Sequence, residues 1–161
     1  GIEIETVLAD GLPRVSGDRS RLEQVFLNLF INASDSMPEG GKLTVETKLI
    51  SRFPSGEKEE TEMERICLLA SPHTVKITIS DTGKGIDKAY LSHIFEPFFT
   101  TKDPGKGTGL GLSIAYGIVR KHDGFIDVES EPGQGSTFFV FLPAKGDGTS
   151  PWDQIREDTV G

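Results

Sequence analysis

The chain has 161 residues, 35% of them hydrophobic and 26% charged, with a formal net charge of −8. That size suits one domain with its own core, and the acidic balance argues against nucleic-acid binding, which needs a basic face. One cysteine, Cys67, excludes an internal disulfide and suits a reducing cytosol; with three scattered histidines it makes a poor zinc set.

The opening GIEIETVLADGLP lacks the basic and long apolar regions of a secretory signal, and no apolar run is long enough to span a bilayer. A cytoplasmic domain without direct membrane contact is expected. Ile2 to Leu8 reads as a short strand. Asp18 opens a helix that stops at Pro38 and the Gly40-Gly41 pair. Lys42 to Ile50 carries apolar residues at alternate positions, a strand pattern. Ser51 to Glu64, SRFPSGEKEETEME, is polar and acid-rich and reads as a mobile loop. Cys67 follows in the apolar run ICLLA, which favours a small buried side chain over a reactive thiol. His73 to Ser80 alternates again through Val75, Ile77 and Ile79. Asp87 is placed to cap a short helix. Leu110, Ile114, Ala115, Ile118 and Val119 make one face of another helix, ending near His122-Asp123-Gly124. Phe125 to Glu129 and Ser136 to Leu142 read as strands joined by the turn EPGQG. From Ala144 onward the composition is that of a linker or tail. Mixed elements with antiparallel pairs suggest a two-layer sandwich.

At 100° per residue, with Asn28 at zero, Leu22, Val25, Phe26, Leu29, Phe30, Ala33 and Met37 fall between roughly 60° and 200°, a core face. Asn32 and Asp35 fall near Asn28, so the three form a polar stripe beside that face. The stripe is either a solvated edge or a ligand surface. Asn favours caps over helix interiors, so two of them one turn apart need a reason. Their neutral amide oxygens can ligate a hard cation without adding negative charge beside a polyphosphate.

Asp81 shares the parity of Val75, Ile77 and Ile79, so its carboxylate points to the buried face if the strand persists. A buried carboxylate needs donors. The following TGKG either closes an Asx-type turn or lets the backbone approach a ligand closely; an adenine amino group is a suitable donor. Downstream, GKGTGLGLS precedes the Leu110–Val119 helix. It is either a disordered glycine loop or a phosphate cradle, in which glycines expose N–H groups at a helix N-terminus. Lys102 and Lys106 can add positive charge. Neither a Walker A pattern nor a dinucleotide fingerprint fits.

Together these stretches resemble the ATP-binding catalytic domain of bacterial sensor histidine kinases, members of the Bergerat-fold ATPases. RLEQVFLNLFINASDSM resembles the N box, DTGKGI the G1 box, FEPFFTTK the F box, GTGLGLS the G2 box and HDGFIDVESEPGQGSTFFVFLP the closing strands. FFTTK and the Asp-Ser-Met helix end look most like the nitrogen-regulation and dicarboxylate-sensing kinases.

The resemblance implies an α+β two-layer sandwich whose mixed, mostly antiparallel sheet is covered on one face by about three helices, with a flexible ATP lid. It implies a catalytic domain over residues 1–143, with 51–72 as a variable polar insertion and 144–161 as a tail. ATP and Mg²⁺ are the implied cofactors. Asn32 would ligate Mg²⁺, and Asn28 would contact phosphate or polarise the site. Asp81 would bind the adenine amino group beside Gly83 and Gly85. Phe95, Phe98 and Phe99 would anchor one end of the lid. Gly109, Leu110 and Gly111 would offer amides to phosphates. Asp35, Ile86, Thr108 and Leu112 would complete the nucleotide's surroundings, and Lys102 would act with Asn28 in catalysis. Other Bergerat ATPases place a Glu base one turn before the metal Asn; Asn28 stands there, which fits phosphoryl transfer to a protein rather than hydrolysis. None of His73, His93 and His122 sits in a phosphoacceptor motif, so the acceptor is expected on a separate dimerisation domain that passes the phosphoryl group to a response-regulator receiver domain. The alternatives are a Bergerat-fold serine or dehydrogenase kinase and a non-enzymatic nucleotide sensor.

Overall fold

The computed structural model describes residues 1–51, 61–102, 104, 105 and 107–144. Its strands are β1 (Ile2–Val7), β2 (Gly41–Ser51), β3 (His73–Asp81), β4 (Phe125–Glu131) and β5 (Gly135–Pro143). They form one sheet in the spatial order β1-β2-β3-β5-β4. β1 runs parallel to β2, and every other neighbouring pair is antiparallel. A parallel pair needs a crossover, and helix α1 (Arg19–Ser36) supplies it.

The strands' alternation assigns one set of side chains to each face. Leu43, Val75, Ile77, Ile79, Phe138, Val140 and Leu142 join Val25, Leu29, Ala33 and Met37 of α1 and Ala115, Ile118 and Val119 of α4 (Gly111–Lys121) in the main core. α3 (Lys88–Leu91) and the segment after it close one end of this layer, with Ile94 buried in the core. The expected α+β sandwich, with three helices over one face, is therefore present.

The other face carries a helix the sequence reading lacked. Thr61 to Glu64, assigned there to a mobile loop, starts α2 (Glu62–Ala70). Thr61 caps it reciprocally: its hydroxyl accepts from Glu64 N at 3.1 Å, and Glu64 accepts from Thr61 N at 3.1 Å. Met63 and Cys67 of this helix pack with Ile50, Phe125, Phe139 and Phe141 in a second, smaller core. Glu64 meets Lys76 of β3 at 2.6 Å, and that ammonium also lies 5.0 Å from the Phe139 ring centroid. Burial alone would push Glu64 up. The Lys76 hydrogen bond, the Thr61 N–H and the Lys76 and Lys48 charges outweigh it and hold the carboxyl below the usual range. Cys67 is buried as expected, and burial pushes its thiol up to about 11. Most of the expected loop, residues 52–60, lies outside the described residues, as does the tail from 145. Ala144 still belongs to the fold: it bridges to Val15 and donates its N–H to His73 O at 3.0 Å.

α1 and α4 lie antiparallel and are clasped at two places. Asn28 Nδ2 donates to Gly111 O at 3.0 Å, at the start of α4. At its end, His122 Nε2 accepts from Asp18 N, the N-cap of α1, at 3.0 Å, while Nδ1 lies 2.7 Å from Ile118 O. The ring thus ties the start of α1 to the end of α4.

Candidate functional site

A cleft of about 530 Å³ opens between α1, the loop after β3, α3 and residues 99–102 and 107–112. Helical spacing puts Asn28, Asn32 and Asp35 on its α1 wall, as the polar stripe predicts. Gly85, Ile86, Lys102, Thr108, Gly109, Gly111 and Leu112 also line it. Ile31, Tyr90 and Ile94 supply apolar surface that the sequence reading left out, Phe99 adds to it, and Ser36, Thr100, Thr101 and Ser136 supply hydroxyls. Ser36 was legible in principle, since it stands one turn after Asn32.

Asp81 ends β3 with its side chain on the core face and is 4% exposed. It stands behind the cleft wall rather than on it. Its Oδ1 accepts from Gly83 N at 2.9 Å and Ser36 Oγ at 3.0 Å, with Ser136 N at 3.4 Å. No described protein donor takes Oδ2. Gly83 is likewise behind the wall, where a Cβ would overlap Ser36. Gly85 holds φ +72 beside the Glu131 carbonyl, which leaves no room for a side chain.

Three aromatic residues of the FEPFF run part company. Phe95 packs into the main core, 5.3 Å from the Tyr116 ring and 6.4 Å from Phe138. Phe99 lines the cleft, 5.8 Å from Tyr90. Phe98 does neither: it is 74% exposed, and only its backbone serves the loop, donating to Gly109 O at 2.8 Å. Its side chain does not line the cleft. The cause is its left-handed backbone, φ 67, which turns the ring outward. Leu110 contributes as the N-cap of α4 and has no side-chain cap bond. Lys102 reaches across the cleft to an ion pair with Asp35. Lys106 lies outside the described residues. No histidine lines the cleft among the described residues.

The family described as histidine kinase-, DNA gyrase B- and HSP90-like ATPase matches residues 17–146, most of the chain. The chain belongs to that family. It is 45% identical over 145 residues to the sensor kinase CckA of Brucella abortus, a match covering 89% of this chain and 15% of CckA. The mycobacterial sensor histidine kinase MprB superposes with TM-score 0.66 at 27% identity, over 89% of this chain and 83% of that one. Full-length ShkA, solved in complex with AMPPNP, superposes with TM-score 0.65 at 28% identity, over 89% of this chain and 26% of that one. The chain spans from 15% to 26% of the curated relatives it matches. Its place among them is that of the ATP-binding catalytic domain of a histidine kinase.

Within this ATPase fold the two sides of the cleft have different electrostatics. The side of Asp81 is a carboxylate held among donors in the protein interior. The side of Lys102 is a partly exposed, charged surface, with the Lys102 side chain 32% exposed and that of Asp35 43%. Among the described residues no group of three acidic, histidine or cysteine side chains could hold a metal on its own. A cation that arrives with a polyphosphate needs few protein ligands, and the Asn28 and Asn32 amides meet that requirement.

Proposed function

We propose that this chain binds ATP in the cleft and presents its γ-phosphate to a histidine on a separate helical domain, which then passes it to a response-regulator receiver domain. Residues 1–143 would form the catalytic domain and 144–161 a linker or tail. The carrying observation is the carboxylate of Asp81. It has three donors around Oδ1 and none of the described ones at Oδ2, behind a partly apolar cleft. That is an acceptor suited to one exocyclic amino group of a flat base. Oδ2 would accept from the adenine amino group, Ile86 and Leu112 would bracket the ring system, and the Gly83 and Gly85 backbone would allow its close approach.

On the phosphate side, the backbone N–H groups of Gly109, Leu110 and Gly111 at the start of α4 would meet the negative charge. Lys102 and Thr108 would add donors. Mg²⁺ fits the amide set, with Asn32 as its protein ligand and Asn28 beside the phosphates; bound there, it would neutralise charge on the phosphate oxygens. Asn28 carries no carboxylate to activate water. The phosphoryl group would therefore leave only to an acceptor imidazole brought in line with it. His73, His93 and His122 do not line the cleft among the described residues: His73 Nδ1 lies 3.0 Å from Ser51 Oγ, His93 pairs with Glu96 beside the Phe99 ring, and His122 clasps α1.

The test is transfer in trans. With labelled ATP, this chain alone should remain unlabelled, and the parent's helical domain should acquire an acid-labile label when it is added. Acid-labile label on the isolated chain, lost on replacing one of its histidines, would overturn the half-enzyme reading. An acid-stable label on the added domain would favour the serine-kinase alternative.

A further inference from the structure

Asp35 poses a question that the nucleotide reading does not answer: a carboxylate lines the side of a cleft that is meant for a polyphosphate, where like charges repel. The structure gives that carboxylate a partner. Lys102 donates to Asp35 Oδ2 across a sequence separation of 67 residues. The lysine is placed rather than free. Its N–H donates to Thr100 Oγ1 at 3.1 Å, turning the chain at that point. The returning strand of the loop lies on its stem, where a Cβ on Gly107 would come within 2.8 Å of Lys102 Cδ. Phe98 N to Gly109 O, at 2.8 Å, closes the loop at its base. The loop over the cleft is thus held twice, at its base by backbone and near its tip by one ion pair.

We infer that Asp35 is an affinity-setting residue and not a nucleotide ligand: its carboxylate pairs with Lys102 and competes with nucleotide phosphate for that ammonium. The inference rests on the nucleotide reading of the cleft. Lysine suits such an exchange, since its ammonium is a compact point charge on a flexible stem that can swing from one anion to another. Phosphate binding then gains the Lys102 contact only by giving up the Asp35 contact, and Asp35 left behind repels the incoming charge. Both effects weaken binding. A carboxylate that ligated the nucleotide or its metal would strengthen it, so the sign of one substitution separates the roles.

Asp35→Asn keeps the shape and removes the charge. ATP titrated into the full chain by calorimetry should bind about three- to tenfold more tightly to this variant, the scale of a partly exposed ion pair. Lys102→Gln should bind more weakly. In the Lys102→Gln background the gain from Asp35→Asn should shrink, revealing coupling between the two positions. Without nucleotide, hydrogen exchange of amides 99–102 and 107–109 should speed up in both single variants, a readout independent of ATP. Unchanged or weaker ATP binding by Asp35→Asn, with a wild-type chain that binds ATP, overturns the competition and leaves the nucleotide reading standing. A wild-type chain that binds no ATP overturns both.

Discussion

The wall around Asp81 and the wall around Lys102 bound the same cleft but are built in opposite ways. Asp81 is 4% exposed and anchored by donors from α1, the β3 loop and β5. Gly135, φ +99, sits so close to the Asp81 carbonyl that no side chain fits between them. The Lys102 ammonium is held by one ion pair to a half-exposed carboxylate. The first wall cannot rearrange without unpacking the sheet, whereas the second can at the cost of a surface salt bridge, about 1 kcal/mol or less. A rigid wall suits recognition of a fixed shape, and an exchangeable one suits phosphates that arrive and leave. Substitutions in the two walls should therefore fail differently.

The largest effect is expected at Gly85. Its φ of +72 and the Glu131 carbonyl beside it leave no space for a Cβ. Gly85→Ala should destabilise the domain by about 3 kcal/mol or more, through backbone strain and displacement. Urea unfolding followed by circular dichroism would measure it, and a near-normal midpoint would break the claim that this wall is rigid. Gly109→Ala meets the same kind of obstacle on the lid side, with φ +67 and a Cβ that would overlap the Phe98 backbone. There the loop is expected to open instead. The unfolding midpoint should move little, while ATP affinity falls about tenfold, or 1.4 kcal/mol. Equal losses of stability at Gly85 and Gly109 would erase the contrast between the walls.

The smallest effect lies on the far face of the sheet, which serves as an internal control. Glu64→Gln should cost about 1 kcal/mol of stability by weakening the bond to Lys76, with ATP affinity unchanged. The pH dependence has a definite sign. Folding holds the Glu64 carboxyl below its ordinary value, so its stabilisation is present above the unfolded value of about 4.3 and is lost as pH falls through the lower folded value. Thermal melts from pH 6 downward, run with and without Glu64→Gln, should differ at the upper end of that range and converge at the acid end.

Much of this was legible in the sequence, for reasons that vary by element. The periodicity of α1 separates Val25, Leu29 and Ala33 from Asn28, Asn32 and Asp35 because a long helix repeats its face several times. The parity of β3 carries Asp81 to the core because a strand has only two faces. α2 was missed although Thr61-x-x-Glu64 before an apolar run is a capping-box pattern; the surrounding acidic composition outweighed it. Phe95, Phe98 and Phe99 look alike in one short run of sequence, and the positive φ at Phe98 sets it apart from the other two. The Lys102–Asp35 pair and the His122–Asp18 clasp join residues far apart in the chain, and local patterns carry no information about such contacts.

The most direct test of the central claim is calorimetric titration of ATP into Asp81→Asn. The substitution keeps the shape, and its amide oxygen can still accept from Gly83 and Ser36, so the unfolding midpoint should stay close to that of the unmodified chain. The amide nitrogen then stands where Oδ2 was, a donor facing a donor, and ATP affinity should fall about 100-fold, the scale of a mismatched buried hydrogen bond. Undiminished ATP affinity in a folded Asp81→Asn chain would contradict the account.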